Sequence, residues 1–221
     1  MTSTAKKRKP RRPGRPLAGA DLRQRVLDGA IASFTARGIA GTPLSAIAKV
    51  SGVTPALLHY YFGDKAKLVE AVIAERILPV VTELRANLVR SAGDSVDLTA
   101  GFVNTSFALI EAHPWFPPLW IREVLCEGGA LRELIVERIA PQVPVQLEKH
   151  FREAQQRGEL NPEVDSRLLV VSLIGLTLFV AASQPIWRRI FPSADIDSDA
   201  LRRHTLALLD NGIGSGPRSH A

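Results

Sequence analysis

The sequence has a single cysteine, Cys126, among its 221 residues. One cysteine excludes an intramolecular disulfide and a metal site built from several cysteines, and it suits a reducing compartment. Long hydrophobic runs are also scarce. The longest, Leu168 to Ser183, is interrupted by polar residues and glycine, and it is shorter than the roughly 20 residues that a membrane-spanning helix needs. We therefore expect a buried helix there, no membrane partner and a cytoplasmic location.

Patterns typical of catalysis or cofactor binding are missing as well. His113 and Cys126 are far apart in the sequence, no serine lies in a nucleophile elbow, and neither a phosphate-binding GK[ST] loop nor metal-ligand spacing occurs. We therefore predict that the chain is not an enzyme and that it uses no metal or cofactor. Cys126 is interpreted as a packed small hydrophobic side chain, with redox sensing as the alternative.

Excess positive charge is confined to the N-terminus. Residues 1–16 hold seven of the 28 Lys and Arg residues and none of the 22 Asp and Glu residues, which leaves the remainder close to neutral. Prolines deny this segment a continuous helix, and its like charges repel one another. We predict a basic arm over residues 1–20 that is disordered in the free protein and meets a polyanion, either nucleic acid or an anionic membrane.

Apolar residues recur at helical spacing over most of the remaining chain. Residues 22–34 carry the first such stripe, and no stretch alternates with period two, so we predict an all-α fold. The pairs Thr42-Pro43 and Thr54-Pro55 each place an N-capping hydroxyl before a proline at the first helical position. They predict two short helices joined by a turn that contains a glycine, which is the helix-turn-helix pattern.

Longer helices are predicted in the rest of the chain. One begins after Asp64, which can cap it, and continues to about Arg90, with a bend at Pro79. Apolar periodicity and the positions of glycine and proline predict further helices at roughly 96–112, 114–127, 131–157, 163–183 and 199–210. Residues 211–221, rich in Gly and Ser, are predicted to be a flexible tail.

The most specific motifs lie between residues 21 and 68. They are the first amphipathic helix, Thr42-Pro43-Leu44-Ser45-Ala46-Ile47-Ala48, Gly52-Val53-Thr54, Leu58-His59-Tyr60-Tyr61-Phe62 and Asp64-Lys65. Together they resemble the DNA-binding region of TetR-family transcriptional regulators, whereas the rest of the chain matches only in helical character and length. The resemblance implies a three-helix DNA-binding domain at 21–66, a helical effector-binding and dimerisation domain at 67–210, and a homodimer.

The resemblance also implies which residues meet double-stranded DNA. The second short helix would contact bases near its N-terminal end, and hydroxyl and lysine side chains around it would bind phosphates. The predicted DNA-binding residues are Arg15, Thr42, Ser45, Thr54, Pro55, Ala56, Leu57, His59, Tyr60, Tyr61 and Lys65.

Several of these residues have alternative interpretations. Leu57 stands where the family often has a small polar residue, and it either contacts a thymine methyl group or only packs. His59 replaces the usual tyrosine and is either a groove contact or a solvated side chain, while Tyr61 is either a contact or part of the core. Arg15 lies in a Gly-Arg-Pro segment similar to an AT-hook, which would enter the minor groove or serve only as a tether.

Aromatic residues cluster in the middle of the chain. The family resemblance implies a cavity for a small effector in this region, and an apolar, aromatic wall is typical of such sites. The predicted effector-binding residues are Phe102, Phe107, Trp115, Phe116, Leu119, Trp120, Glu123 and Phe179. We expect an apolar or aromatic ligand. The alternative is that the aromatics form core and that Glu123 pairs with an arginine.

The helix predicted at 163–183 is apolar nearly all round, so more than one of its sides must be covered. Small residues on it allow another helix to approach closely. The predicted dimer-interface residues are Ser172, Gly175, Phe179, Leu201 and Leu208. The whole pattern predicts a repressor that a ligand releases from a palindromic operator. The alternatives are a low-specificity, arm-driven DNA binder and, in a different class, an enzyme that uses the aromatic cavity.

Overall fold

The structure is a computed structural model that describes residues 19–90, 95–139 and 141–213. The predicted basic arm up to residue 18, with Arg15, and the tail beyond residue 213 lie outside the described residues. Helices joined by turns make up the described chain, which confirms the predicted all-α fold. Within the described residues, no single helix has the length and apolar character to cross a membrane. The stretches Ser166–Ala182 and Gln184–Ile190, which meet at a 70° bend, satisfy those criteria only as a pair.

Three helices form an N-terminal unit that we call the head. They are α1 (Gly19–Arg37), α2 (Leu44–Ser51) and α3 (Pro55–Phe62). Gly38, with φ of 79°, follows the end of α1, and Gly52, with φ of 65°, makes the turn between α2 and α3. Both values lie in the left-handed region that glycine adopts without steric cost. The side chains of Leu27, Phe34, Ile47 and Leu58 meet in a fully buried core.

The long helix that follows the head is interrupted by a π-helical turn shortly before Pro79, the residue at which the sequence predicts a bend. It consists of α4 (Lys65–Val72), a turn that we call π1 (Ile73–Ile77), and α5 (Leu78–Arg90). Pro79 has no N–H to donate to the carbonyl of Glu75, four residues earlier, and its ring crowds that oxygen. The carbonyl accepts a hydrogen bond from the Arg76 guanidinium instead, at 3.1 Å. The regular α-helix is thus interrupted in the turn that precedes Pro79.

The remaining helices form the body, together with α4 and α5. They are α6 (Ser95–Ala112), α7 (Phe116–Trp120) with π2 (Ile121–Leu125), α8 (Arg132–Leu134) with π3 (Ile135–Ile139), α9 (Pro144–Gln156), α10 (Ser166–Ile174) with π4 (Gly175–Phe179), α11 (Val180–Ala182), α12 (Gln184–Ile190) and α13 (Ser198–Ile213). One continuous apolar core extends from α1 to α13.

Two boundaries in the body differ from the sequence prediction. Helix α10 begins at Ser166 rather than at residue 163, and its cap is Asp165, whose carboxylate accepts hydrogen bonds from the N–H groups of Arg167 and Leu168. The Arg167 guanidinium also donates to this carboxylate, and these bonds hold the pKa of Asp165 well below its usual range. Helix α12 was not predicted. Pro185 lies within its first turn, and a proline at this position in the sequence predicts the end of the preceding helix.

Candidate nucleic-acid interface and effector cavity

The N-terminal turn of α3 faces solvent. Thr54 caps this helix, since its Oγ1 accepts a hydrogen bond from the N–H of Leu57 at 3.2 Å, which confirms the predicted cap. The side chains of Thr54, Pro55 and Ala56 are exposed, Leu57 is half-buried, and Ser45 on α2 is also exposed. Because nothing in the described chain covers this turn, its side chains are free to meet the edges of bases in a groove.

The other end of α3 presents aromatic residues. Tyr60 is 83% exposed, and the half-buried ring of Tyr61 packs edge-on against it, with a centroid separation of 5.4 Å. A ring N–H of His59, at Nδ1, donates to the carbonyl of Gly63 at 2.6 Å and so closes the end of the helix. Tyr60 therefore offers a hydroxyl to a phosphate, whereas one nitrogen of His59 is already used within the head.

Thr42 is a correction to the sequence prediction. The residue is fully buried, and its Oγ1 donates to the carbonyl of Gly38 at 2.6 Å. Helix α2 has no side-chain cap. The prediction that Thr42 caps α2 and holds a DNA phosphate is therefore wrong, because the hydroxyl closes the turn after α1 instead.

Lys65 lies beside that turn. Its Nζ donates to the carbonyl of Ala40 at 3.0 Å. An ammonium group has three donors, so two remain for a phosphate. Asp64 caps α4 by accepting a hydrogen bond from the N–H of Lys67 at 2.9 Å, as predicted.

An apolar cavity lies in the body. It measures about 80 Å³, and its wall is apolar except at Ser106 and Thr177. Three of the predicted effector-binding residues, Phe102, Phe116 and Trp120, contribute to this wall. Of the others, Phe107 and Leu119 are buried in the surrounding core, and Trp115 packs edge-on against Phe116 at 5.7 Å.

Part of the cavity wall consists of residues that were not predicted from the sequence. It comes from α5, through Val80, Val81 and Leu84, and from π3, through Ile135 and Ile139. These residues belong to apolar stripes that could equally have faced a packed core. Their sequence signal therefore marks burial but does not mark a cavity.

Phe179 and Glu123 lie outside the cavity, which corrects the sequence expectation for both. Phe179 is 61% exposed on the outer face of π4. Glu123 is only 4% exposed, and it neither lines the cavity nor pairs with any arginine of the described chain. Its carboxylate accepts hydrogen bonds from the backbone N–H of Ile39 at 2.9 Å and of Ala130 at 3.1 Å. Since Ile39 follows α1, this side chain joins the body directly to the head.

Two ion pairs also connect head and body. The Arg23 guanidinium on α1 contacts the Glu75 carboxylate on π1, and Arg76 contacts Asp28 at 2.8 Å. Hydrogen bonds from Arg23 lower the pKa of the Glu75 carboxyl below its ordinary value. Both pairs are partly exposed, and such pairs contribute roughly 0–1 kcal/mol each. The hydrogen bonds to Glu123, of which the bond from Ile39 is buried, therefore contribute more to holding the head on the body.

The α10–π4 segment has one apolar face that nothing in the described chain covers. Leu168, Val171 and Phe179 on this segment are each more than 60% exposed. Ser172 is exposed, and a Cβ atom added at Gly175 would meet open space. Of the other residues predicted at a dimer interface, Leu208 is half-exposed on α13. Leu201, at 8% exposure, belongs to the core of the protomer and corrects that assignment.

Family models match both parts of the chain. Residues 26–72 match bacterial regulatory proteins of the tetR family, and residues 98–210 match the tetracyclin repressor-like C-terminal domain. The regulator SrpR of Pseudomonas putida is 32% identical over 68 residues, which span 31% of this chain and only 32% of SrpR. The repressor SCO4008 of Streptomyces coelicolor is 24% identical over 178 residues, or 80% of this chain and 88% of that protein.

Solved structures share the fold. The ketosteroid regulator KstR2 of Mycobacterium tuberculosis has a TM-score of 0.70 at 20% identity, covering 87% of this chain and 94% of its own. FadR of Bacillus subtilis, solved in complex with stearoyl-CoA, has a TM-score of 0.65 at 20% identity, covering 86% and 98%. With family models that match the head and most of the body, the chain belongs to the TetR family of helix-turn-helix, DNA-binding transcriptional regulators.

Proposed function

We propose that this regulator is a repressor that binds a palindromic operator as a homodimer and is released by a small, largely apolar effector. One observation carries the proposal: a single helical segment connects the cavity to the head. Phe116 and Trp120 on α7 line the cavity. Glu123, less than one turn further along the chain, accepts a hydrogen bond from the backbone N–H of Ile39. A ligand that displaces the aromatic pair therefore displaces the anchor of the head.

The operator geometry follows from symmetry. Two copies that pair through the exposed face of α10–π4 would be related by a twofold axis, and their α3 helices would meet two half-sites. Those half-sites would be separated by about 34 Å, one turn of DNA. This pairing is supported by the exposed side chains of Leu168, Val171 and Phe179, because exposed apolar residues grouped on one helix mark an interaction surface.

The long helix offers a second connection between cavity and head. Val80, Val81 and Leu84 on α5 line the cavity, and the same helix continues through π1 into α4, which directly follows α3. A ligand that binds the released arrangement more tightly shifts the population towards it. A coupling free energy of about 1–3 kcal/mol would weaken operator binding roughly 5–150-fold.

Operator binding is tested by selecting sites from randomised duplex DNA with the purified full chain. We expect a twofold-symmetric site. Enrichment of no sequence over bulk DNA would instead indicate the low-specificity DNA binder.

The cavity is tested with Trp120→Ala. Operator affinity should stay close to that of the wild type, because Trp120 lies in the body, whereas release by an apolar ligand identified with the wild-type protein should disappear. Release at wild-type ligand concentrations would place the effector elsewhere.

A further inference from the structure

The cavity in the body borders one hydroxyl group that has no hydrogen-bond partner in the described chain. Ser106 on α6 is 7% exposed and forms part of the cavity wall. Its Oγ forms no hydrogen bond with any described residue. The oxygen is still accessible, unlike Thr35 Oγ1 and Ser51 Oγ, which also lack partners but are closed off by the atoms around them. Because the space that Ser106 borders is the cavity, its hydroxyl is available to a ligand there.

The second hydroxyl in the wall is already used. Thr177 Oγ1 on π4 donates to the carbonyl of Leu173, four residues earlier in the same helical segment, at 2.8 Å. A serine within a helix can form the same bond to the carbonyl four residues before it. Ser106 does not donate to the carbonyl of Phe102 in this way. Its hydroxyl is therefore free both to donate and to accept.

Ser106 lies within an apolar face of α6. Phe102, Leu109 and Ile110 also line the cavity, and residues three and four apart on a helix share a face. A buried hydroxyl without a partner is unfavourable at such a position. A ligand that pairs with this hydroxyl removes the penalty, whereas a purely apolar ligand closes the hydroxyl off from any partner. The wall therefore favours a ligand with a hydrogen-bonding group.

The rest of the wall limits the charge and the size of the ligand. No charged residue is among the described residues that line the cavity. Burying an ionised group without a counter-charge is strongly unfavourable, so a neutral ligand is favoured. The cavity measures about 80 Å³, whereas an apolar cavity of about 150 Å³ accommodates benzene. A molecule of one ring must therefore displace part of the wall, as the proposed release of the operator requires, and a much larger one does not fit.

We propose that the effector is a compact, neutral molecule of at most about one ring, with a hydrogen-bonding group that Ser106 binds inside an otherwise apolar wall. The inference rests on the proposed function, because it names the class of ligand for the same cavity. A carbonyl, ether or hydroxyl group can pair with Ser106, since a serine hydroxyl both donates and accepts. Burial of the ligand's apolar surface against side chains such as Phe102 and Trp120 supplies most of the affinity, and Ser106 supplies the selectivity.

Phenol and toluene are the probes for this class, because phenol has a hydroxyl where toluene has a methyl group. Their binding to the purified full chain is measured by calorimetry at pH 7, where phenol is neutral because its pKa is about 10. Ser106→Ala should weaken the binding of phenol roughly two- to tenfold, the net contribution of one hydrogen bond. The affinity for toluene should not fall, since the variant no longer buries an unpaired hydroxyl.

The matched control is Thr177→Val, which removes the other hydroxyl from the same wall and leaves the side chain branched. Because that hydroxyl is bonded within its own helical segment, the change should affect phenol and toluene alike. Benzoate, which is charged at pH 7, should not bind at concentrations that saturate the protein with phenol. Three results would overturn the inference: equal effects of Ser106→Ala on the two probes, no binding of either probe to the wild type, or benzoate binding as tight as that of phenol.

Operator binding, measured on the same proteins, distinguishes this inference from the function on which it rests. If an operator is selected and a ligand releases it, but Ser106→Ala affects phenol and toluene equally, only the class of ligand is refuted. If no sequence is selected at all, the proposed repressor function fails, and the comparison of phenol with toluene alone decides the inference about the cavity.

Discussion

The head and the body are both helical, but they are packed differently. Helices α1 to α3 contain no π-helical turn, and they meet around side chains that are fully buried. The described residues of the body include four π-helical turns, an apolar cavity and an uncovered helix face. The head is thus closely packed, whereas the body keeps space that a ligand can fill.

The unfilled space in the body has an energetic consequence. Core cavities destabilise proteins by about 24 cal/mol per Å³. For a cavity of about 80 Å³, this corresponds to about 2 kcal/mol. A ligand that fills the space recovers part of this free energy, and that gain is available to move the head.

The largest expected effect comes from charging the uncovered face of the body. Gly175→Arg should abolish dimerisation, because it places an unpaired charge where the partner helix would approach. Loss of the dimer should also remove high affinity for a two-half-site operator. Sedimentation measures the first effect and fluorescence anisotropy with labelled DNA the second.

Val145→Arg is the matched control for this change, since Val145 is also an exposed apolar residue but lies on α9. It should leave the dimer intact. A dimer that persists in Gly175→Arg would move the interface away from α10–π4.

The next effect compares packing in the two regions. Phe34→Ala should lower the free energy of unfolding by about 3–5 kcal/mol, because Phe34 is fully buried in the head. Phe102→Ala should cost less, since Phe102 already borders empty space in the body and loses fewer contacts. Urea unfolding followed by circular dichroism measures both values. A cost for Phe102→Ala equal to that for Phe34→Ala would contradict the difference in packing.

A change at Glu123 should weaken the connection between the regions. Glu123→Ala leaves the buried N–H group of Ile39 without an acceptor, which costs about 1–3 kcal/mol, and it also removes the partly buried hydrogen bond from Ala130. Glu123→Gln keeps one carbonyl oxygen and should lie between Ala and the wild type. Thermal unfolding measures the loss, and ligand titration of the operator complex measures the coupling. Full coupling in Glu123→Ala would leave the long helix as the sole route.

The smallest expected effects distinguish phosphate contacts from base contacts on the surface of α3. Tyr60→Phe removes a hydroxyl that would reach phosphate, so it should weaken binding to every sequence alike. Leu57→Ala should change the preference at one or two operator positions by about 1–3 kcal/mol if Leu57 reads a methyl group. Site selection with each variant measures both outcomes. An unchanged preferred sequence with Leu57→Ala would assign this residue to packing.

Local signals made much of the fold predictable. Thr54 and Asp64 cap helices as predicted, because an N-cap and its partner lie within three residues of each other. The prediction failed at Thr42, whose hydroxyl closes a turn back to Gly38 rather than capping the helix ahead. A serine or threonine before a helix has both options, and only the folded chain decides between them.

The candidate site depended more on distant contacts. The partner of Glu123 in the head, Ile39, is 84 residues away in sequence, and no pattern in either segment indicates their pairing. Arg85 and Gln142, whose side chains form a hydrogen bond with each other, are 57 residues apart. The aromatic cluster, by contrast, was visible in the sequence because three of its residues lie within one short segment, 115–120.

The π-helical turns also bear on how the effector site can change during evolution. Such a turn holds one residue more than the α-helical turn that it replaces. Deleting one residue from Gly175–Phe179 would therefore restore an α-helical turn while α10 and α11 keep the faces they present. Only the side chains of the turn itself would be rearranged, and two of them, Thr177 and Leu178, line the cavity. At this position, single-residue insertion and deletion give a route to new ligand preferences that leaves the flanking helices in register.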